Sequence, residues 1–224
     1  MCVNISREMQ ENCPGMNNLA MSDFFQSLSL AWQTVSHLEL VSVAFGLAYV
    51  VLAARENSWC WPAAFISTGT AVFLFWGVSL IMESALNVYY LAMAVYGWRQ
   101  WQKGGVAQTK LSISSLSMSH HISLLCLIAL LTIVSGYLLM QNSNAAFPFV
   151  DSFTTWAAVI TTWMIARKIL ENWLYWMVIN SVSIWLYLER DLYLYAALFF
   201  IYIVIAVFAY LQWQRTYSAT QHHE

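Results

Sequence analysis

Ala94-Val-Tyr-Gly-Trp-Arg-Gln-Trp-Gln-Lys103 and Ala206-Val-Phe-Ala-Tyr-Leu-Gln-Trp-Gln-Arg215 are the stretches whose reading decides the fold. A shift of 112 residues lays one on the other with five identities in ten, and Tyr96/Phe208, Trp98/Tyr210 and Lys103/Arg215 are close pairs. The same shift aligns Leu80 with Leu192, Ala85 with Ala197, Leu86 with Leu198 and Trp61 with Trp173. Recurring Tyr-Gly-Trp and Gln-Trp-Gln would also follow if each helix end needed an interfacial aromatic belt. The identities reach into the apolar Ala-Val and Ala-Leu of the segments themselves, which a belt does not require, so the chain reads as an internal duplication.

The surrounding composition says what is duplicated. Of 224 residues, 60% are hydrophobic and 9% charged, with a mean hydropathy of +0.59. A soluble domain of this size carries roughly a quarter charged residues, so the composition is that of an all-α integral membrane protein. Seven segments are long and apolar enough for transmembrane helices, near Val35–Ala54, Trp61–Leu80, Met82–Trp101, Ile122–Met140, Phe153–Ile169, Trp173–Leu188 and Tyr193–Trp213. Spans one to three and five to seven are the copies and span four joins them. An odd linker restores direction, so both copies run the same way in a parallel 3+1+3 repeat, an architecture in which transporters place a site between the halves near mid-membrane.

This divides the chain into an N-terminal segment (1–34), a first repeat (35–103), a loop and linker helix (104–145), a second repeat (146–215) and a polar tail (216–224). Met21–Trp32 interleaves apolar residues with Ser, Asp and Gln and reads as an interfacial amphipathic helix. The first residues lack a basic start and a small-residue cleavage site, so the segment is expected to be retained. Arg55, Arg99, Lys103, Lys110, Arg167, Lys168 and Arg215 fall on one side, seven against the two (Arg7, Arg190) on the other. The positive-inside rule then predicts an outside N-terminus and a cytoplasmic C-terminus.

Composition also excludes. A net charge of −2 with no basic run offers nucleic acid nothing to bind. Cys2, Cys13, Cys60 and Cys126 lack paired metal-ligand spacing and read as packing residues, with a Cys2–Cys13 disulfide as an alternative. His120-His121 has no matching acid or Cys cluster in the sequence, His37 stands alone and His222-His223 lies in the tail, so no metal site is expected. The absence of a phosphate loop, a His-Glu-x-x-His run and a nucleophile elbow argues against an enzyme and against ATP-driven transport. No cofactor is expected.

Polar side chains at membrane depth are costly and therefore functional candidates. Trp173, Trp176 and Asn180 stand at i, i+3 and i+7 and share one helical face. Two indoles and an amide there can sandwich a flat heterocycle and bond its edge; the plain alternative is a Trp belt with an Asn bonded to a neighbouring helix. Glu83, Asn87 and Tyr90 form a second face at i, i+4 and i+7. An acid among aromatics is what a cationic ligand selects, although Glu83 near a helix end is equally read as solvated. Trp59, Trp61 and Trp76 are candidates to complete the cage, or are packing.

Phe147-Pro-Phe-Val-Asp151, Arg167-Lys168, Glu171-Asn-Trp-Leu-Tyr-Trp-Met-Val-Ile-Asn180 and Tyr96-Gly-Trp98 together resemble the bacterial nicotinamide riboside transporter (PnuC) family of vitamin transporters. The likeness covers nearly the whole chain after the N-terminal segment and adds Asn172 to the candidate site. It implies a fold related to the sugar-type (SWEET) transporters, a homotrimer in the bacterial inner membrane and facilitated diffusion of an unphosphorylated vitamin precursor that a cytoplasmic kinase then traps. Asn57-Ser-Trp-Cys-Trp-Pro62 departs from the riboside branch and is closer to the Trp-Pro pattern of members associated with thiamine. Thiamine is thus the expected substrate, with nicotinamide riboside, or a membrane sensor that binds without transport, as alternatives.

Overall fold

The computed structural model describes residues 37–77, 81–102, 111–142, 146–189 and 193–221. The expected interfacial helix at Met21–Trp32, the Cys2–Cys13 pair, Lys103, Lys110, Arg190 and the side chains of Trp76 and Glu83 lie outside the described residues. Among the described residues seven helices follow one another: α1 (His37–Ala54), α2 (Cys60–Gly77), α3 (Ile81–Gln102), α4 (Met118–Asn142), α5 (Pro148–Ala166), α6 (Asn172–Leu188) and α7 (Tyr193–Gln221). Each of the seven expected segments overlaps one of these helices. The shortest has 17 residues, a rise of about 25 Å, which suits a hydrocarbon core about 30 Å thick when the ends carry aromatic anchors.

Helix boundaries follow local chemistry. Pro148 opens α5 five residues before the segment read from hydropathy, because its missing N–H costs nothing in the first turn. The helix then stops at Ala166 rather than Ile169, since Lys168 turns left-handed at φ 53°. The Lys168 N–H bonds Ile165 O at 3.0 Å and the Ile169 N–H bonds Met164 O at 3.0 Å, a Schellman ending. The end of α1 repeats this: Glu56 has φ 55°, its N–H bonds Ala53 O at 3.0 Å, and the Asn57 N–H bonds Leu52 O at 2.9 Å. These four bonds form two pairs whose members are 112 residues apart in sequence.

Packing closes a ring. Helix α1 packs on α2, α2 on α3, α3 on α5, α5 on α6, α6 on α7 and α7 on α1, while α4 lies outside against α5. Small residues set the closest approaches: a Cβ on Gly136 of α4 would lie 2.4 Å from the Phe149 ring of α5. Trp156 Nε1 donates to Ser135 Oγ at 3.0 Å across the same interface. Between α1 and α2, Ser42 Oγ donates to Ser67 O at 3.1 Å and Ser67 Oγ returns a bond to Ser42 O at 2.8 Å. The outer surface is apolar, with Phe73 76% and Phe208 68% exposed among many large hydrophobic side chains. A surface of that extent is one that lipid, not water, covers.

Candidate functional site

Arg55, Arg99, Arg167, Lys168 and Arg215 gather at the end of the bundle where α1, α3, α5 and α7 finish and α2 and α6 begin. At this basic end sits a buried row of four indoles. The Trp61 and Trp101 rings meet edge-on at 5.6 Å and 90°, and Trp173 and Trp213 meet at 5.5 Å and 87°. Trp101 and Trp213 join the two pairs at 6.2 Å. Trp61 and Trp173, separate candidates in the sequence, thus belong to one cluster through Trp101 and Trp213, which sequence reasoning used only as evidence of the repeat. Their 112-residue spacing was the signal that ties them together.

The row is close-packed and polar at its edges. Gly97 is required beneath Trp61, since an added Cβ would come within 2.3 Å of the ring. Trp213 Nε1 donates to Ala53 O at 3.2 Å and to Ala54 O at 3.1 Å. Trp61, Trp101 and Trp173 each bury Nε1 with no hydrogen-bond partner among the described residues, and so does Asn172 Oδ1. Asn172 itself is fully buried, its Nδ2 bonding Ile169 O at 2.6 Å. Such orphans are rare in folded proteins and mark places where another molecule or another arrangement completes the bonding.

Glu56 and Lys168 close the same end. Lys168 Nζ donates to Glu56 Oε2 at 3.0 Å, its side chain 8% exposed, and stands 4.8 Å from the centre of the Trp101 ring. In the sequence Lys168 stood out only through the charge count and the Arg167-Lys168 motif, and Glu56 not at all.

Along α6 the predicted face points inward. Trp173 is buried, Asn180 is 4% exposed, and Trp176 is half-buried between the indole cluster and a second core containing Ile160, Met164 and Ile179. Asn180 lies eight residues into its helix, about 12 Å from the basic end and near mid-span. On α3, Asn87 and Tyr90 are half-buried, with the Tyr90 ring 5.5 Å from Tyr89, whose hydroxyl bonds Val159 O at 3.0 Å. Trp59 is not part of this group: it is 65% exposed at the mouth of α2, edge-on to Trp98 at 5.8 Å.

His121 departs from its sequence reading, which gave it no acidic partner. Folding brings Glu171 Oε2 to 4.0 Å from its Nε2 and the Tyr175 hydroxyl to 3.0 Å from its Nδ1. Glu171 also accepts from Ser115 Oγ and from the Leu116 N–H at 3.3 Å, so the extended stretch before α4 is pinned on the α5–α6 turn. These groups edge an apolar groove of about 510 Å³ between α4, α5 and α6. No group of three or more metal-ligating side chains occurs among the described residues.

Residues 36–215 match the family described as nicotinamide mononucleotide transporter. The chain belongs to this family. Among curated relatives it is 24% identical over 149 residues to the riboflavin/roseoflavin transporter RibM of Streptomyces davaonensis, covering 65% of this chain and 70% of that one. It is 25% identical over 204 residues to the nicotinamide riboside transporter PnuC of Escherichia coli K12, covering 80% and 85%. The crystal structure of the vitamin B3 transporter PnuC shares the fold with a TM-score of 0.67 at 19% identity over 90% of both chains. Membership makes the chain a multi-pass membrane transporter of the vitamin class and not an enzyme.

Proposed function

We propose that the chain carries an unphosphorylated flat heteroaromatic vitamin across the bacterial inner membrane by facilitated diffusion, with thiamine as the leading substrate. The observation that carries this reading is the burial of Asn180 near mid-span, on the face of α6 that also holds Trp173 and Trp176. An amide held in an apolar helix is costly and is kept for a partner; indoles beside it offer flat faces for a ring. Asn87 and Tyr90 from α3, Trp61 from α2 and Asn172 at the start of α6 extend the proposed site, with Glu83 as the group that favours a cation. Trp59 joins only as a surface residue at the mouth.

The ring of helices is taken as two parallel three-helix repeats related as in SWEET-like 3+1+3 carriers, with α4 as the linker; the paired Schellman endings and the paired indole contacts at a 112-residue spacing support this. The basic end faces the cytoplasm by the positive-inside rule, and the N-terminus lies outside. A homotrimer and trapping by a cytoplasmic kinase complete the reading, both from the family resemblance. Nicotinamide riboside is the second substrate, favoured by the name of the Escherichia coli relative.

Titration of purified protein with thiamine, nicotinamide riboside and riboflavin, followed by quenching of its Trp fluorescence, tests the substrate. Saturable binding of thiamine that weakens at least about tenfold in Asn180→Ala, the scale of one lost buried polar contact, is the expected result. Binding of the riboside alone overturns thiamine. Uptake into liposomes that depends on a proton or sodium gradient overturns facilitated diffusion, and binding without flux turns the chain into a sensor.

A further inference from the structure

The two turns at the basic end have the same backbone and opposite charges. Glu56 and Lys168 are each the left-handed residue of a Schellman ending, where glycine sits without strain. A charged residue held in that conformation in both turns, each reaching for the other at 3.0 Å, points to the pair as the reason for the choice. It bridges the α1–α2 turn and the α5–α6 turn, so it ties the first three helices to the last three. Behind it the four indoles fill the same end, and three of them bury an unpartnered N–H.

We propose that Glu56 and Lys168 form a releasable latch that holds the basic end of the path between the two groups of helices closed, with Trp61, Trp101, Trp173 and Trp213 as the plug it keeps in place. The inference rests on the transport reading above. A latch must hold and also let go, and an ion pair with Lys168 buried and Glu56 partly exposed suits both demands. Its Coulomb attraction nearly balances the loss of hydration, so opening is cheap when both charges reach water together. Removal of one partner strands the other in the closed state and drives the end open. The orphaned indole N–H groups act in the same direction, because they gain partners only when the plug moves or a substrate reaches them.

Cys60 reports on this end without any substrate: it is fully buried at the first residue of α2, beside Trp61. In a Cys2→Ser/Cys13→Ser/Cys126→Ser background, labelling by a membrane-impermeant methanethiosulfonate is measured on the purified full chain. Glu56→Gln and Lys168→Gln are expected to label at least about tenfold faster, as loss of one partner of the pair predicts. Glu56→Lys/Lys168→Glu exchanges charges between turns of equal geometry and is expected to return the rate to within about threefold of the parent. Unchanged labelling in the single variants overturns the latch, as does fast labelling that the exchange does not slow.

A bridging test covers the case in which the Gln variants do not fold. On a cysteine-free background, Glu56→Cys/Lys168→Cys joined by a bifunctional, reducible thiol reagent is expected to lose at least about tenfold of its vitamin uptake, recover it on reduction, and keep its fluorescence titration. Undiminished flux through the bridged protein overturns the latch. Labelling is independent of vitamin, so fast labelling of the Gln variants beside a parent that moves no vitamin removes the transport reading alone. Normal flux beside unchanged labelling removes the latch alone.

Discussion

The α1–α2 turn and the α5–α6 turn carry the same backbone hydrogen bonds on different side chains. Leu52 O and Met164 O accept equivalent bonds, Ala53 O and Ile165 O accept the next, and a left-handed residue follows in each. Around that shared frame the chemistry diverges. Glu56 stands opposite Lys168, Cys60 opposite Asn172 and Gly97 opposite Ala209. Trp213 ties its indole to Ala53 O and Ala54 O, whereas Trp101 Nε1 at the corresponding position has no hydrogen-bond partner among the described residues. Backbone geometry at this end is thus duplicated while polar satisfaction is not. The lesson is that the frame positions the indoles, and the inequality is confined to the two that join the pairs: Trp213 is anchored and Trp101 is not, while Trp61 and Trp173 both bury an unpartnered Nε1.

The comparison breaks most visibly if the indoles are not equivalent in packing. Trp61→Ala and Trp173→Ala each delete a buried ring from the same row and are expected to cost about 3–5 kcal/mol apiece, read as the shift in unfolding midpoint in detergent. A near-neutral result for one would show that the row belongs to a single half. Next in size is Gly97→Ala: the added methyl meets the Trp61 ring at 2.3 Å, and overpacking of about 1–3 kcal/mol is expected. Ala209 already carries a Cβ at the corresponding place, so Ala209→Gly is expected to lose only about 1 kcal/mol of helix propensity, and equal penalties would contradict the asymmetry.

A finer test separates the two joined indoles. Trp213→Phe removes two hydrogen bonds along with its packing, and Trp101→Phe removes an unpartnered donor. The former is therefore expected to be the more destabilising by about 1 kcal/mol, measured in the same unfolding assay. The smallest effect concerns the helix crossings. Ser42 and Ser67 exchange hydrogen bonds between α1 and α2, while the corresponding Thr154 bonds within its own helix and Ile179 is apolar. Ser67→Ala is expected to cost about 0.6 kcal/mol, the usual worth of an interhelical bond in a membrane protein. Thr154→Ala is expected to cost less, and a reversed order would show that the α5–α6 crossing depends on polar contact after all.

Much of this was legible in the chain because hydropathy acts locally. Twenty apolar residues have no alternative to a helix where water is absent, so each of the seven expected segments overlaps its helix. Ends were less legible: Pro148 and the left-handed Lys168 moved the bounds of α5, since capping depends on single residues and not on a window of hydropathy. In the candidate site, periodicity put Trp173, Trp176 and Asn180 on one face, and that face is inward. The partners of that face were not legible. Trp101, Trp213, Glu56 and Glu171 reach their neighbours across long sequence separations, and nothing local tells Glu56 from any solvated carboxylate at a helix end.

By itself, then, the sequence determined that there are seven apolar helices, that two stretches recur 112 residues apart, and that one helix carries two indoles and an amide on a single face. These are consequences of backbone desolvation and of the 3.6-residue turn, which any short window contains. Tertiary structure alone decided that Trp61 and Trp173 share one buried row, that His121 meets Glu171, and that Lys168 spends its charge on Glu56 rather than on solvent. Each of those pairings is an interaction between surfaces, and its energy exists only once the helices have chosen their neighbours.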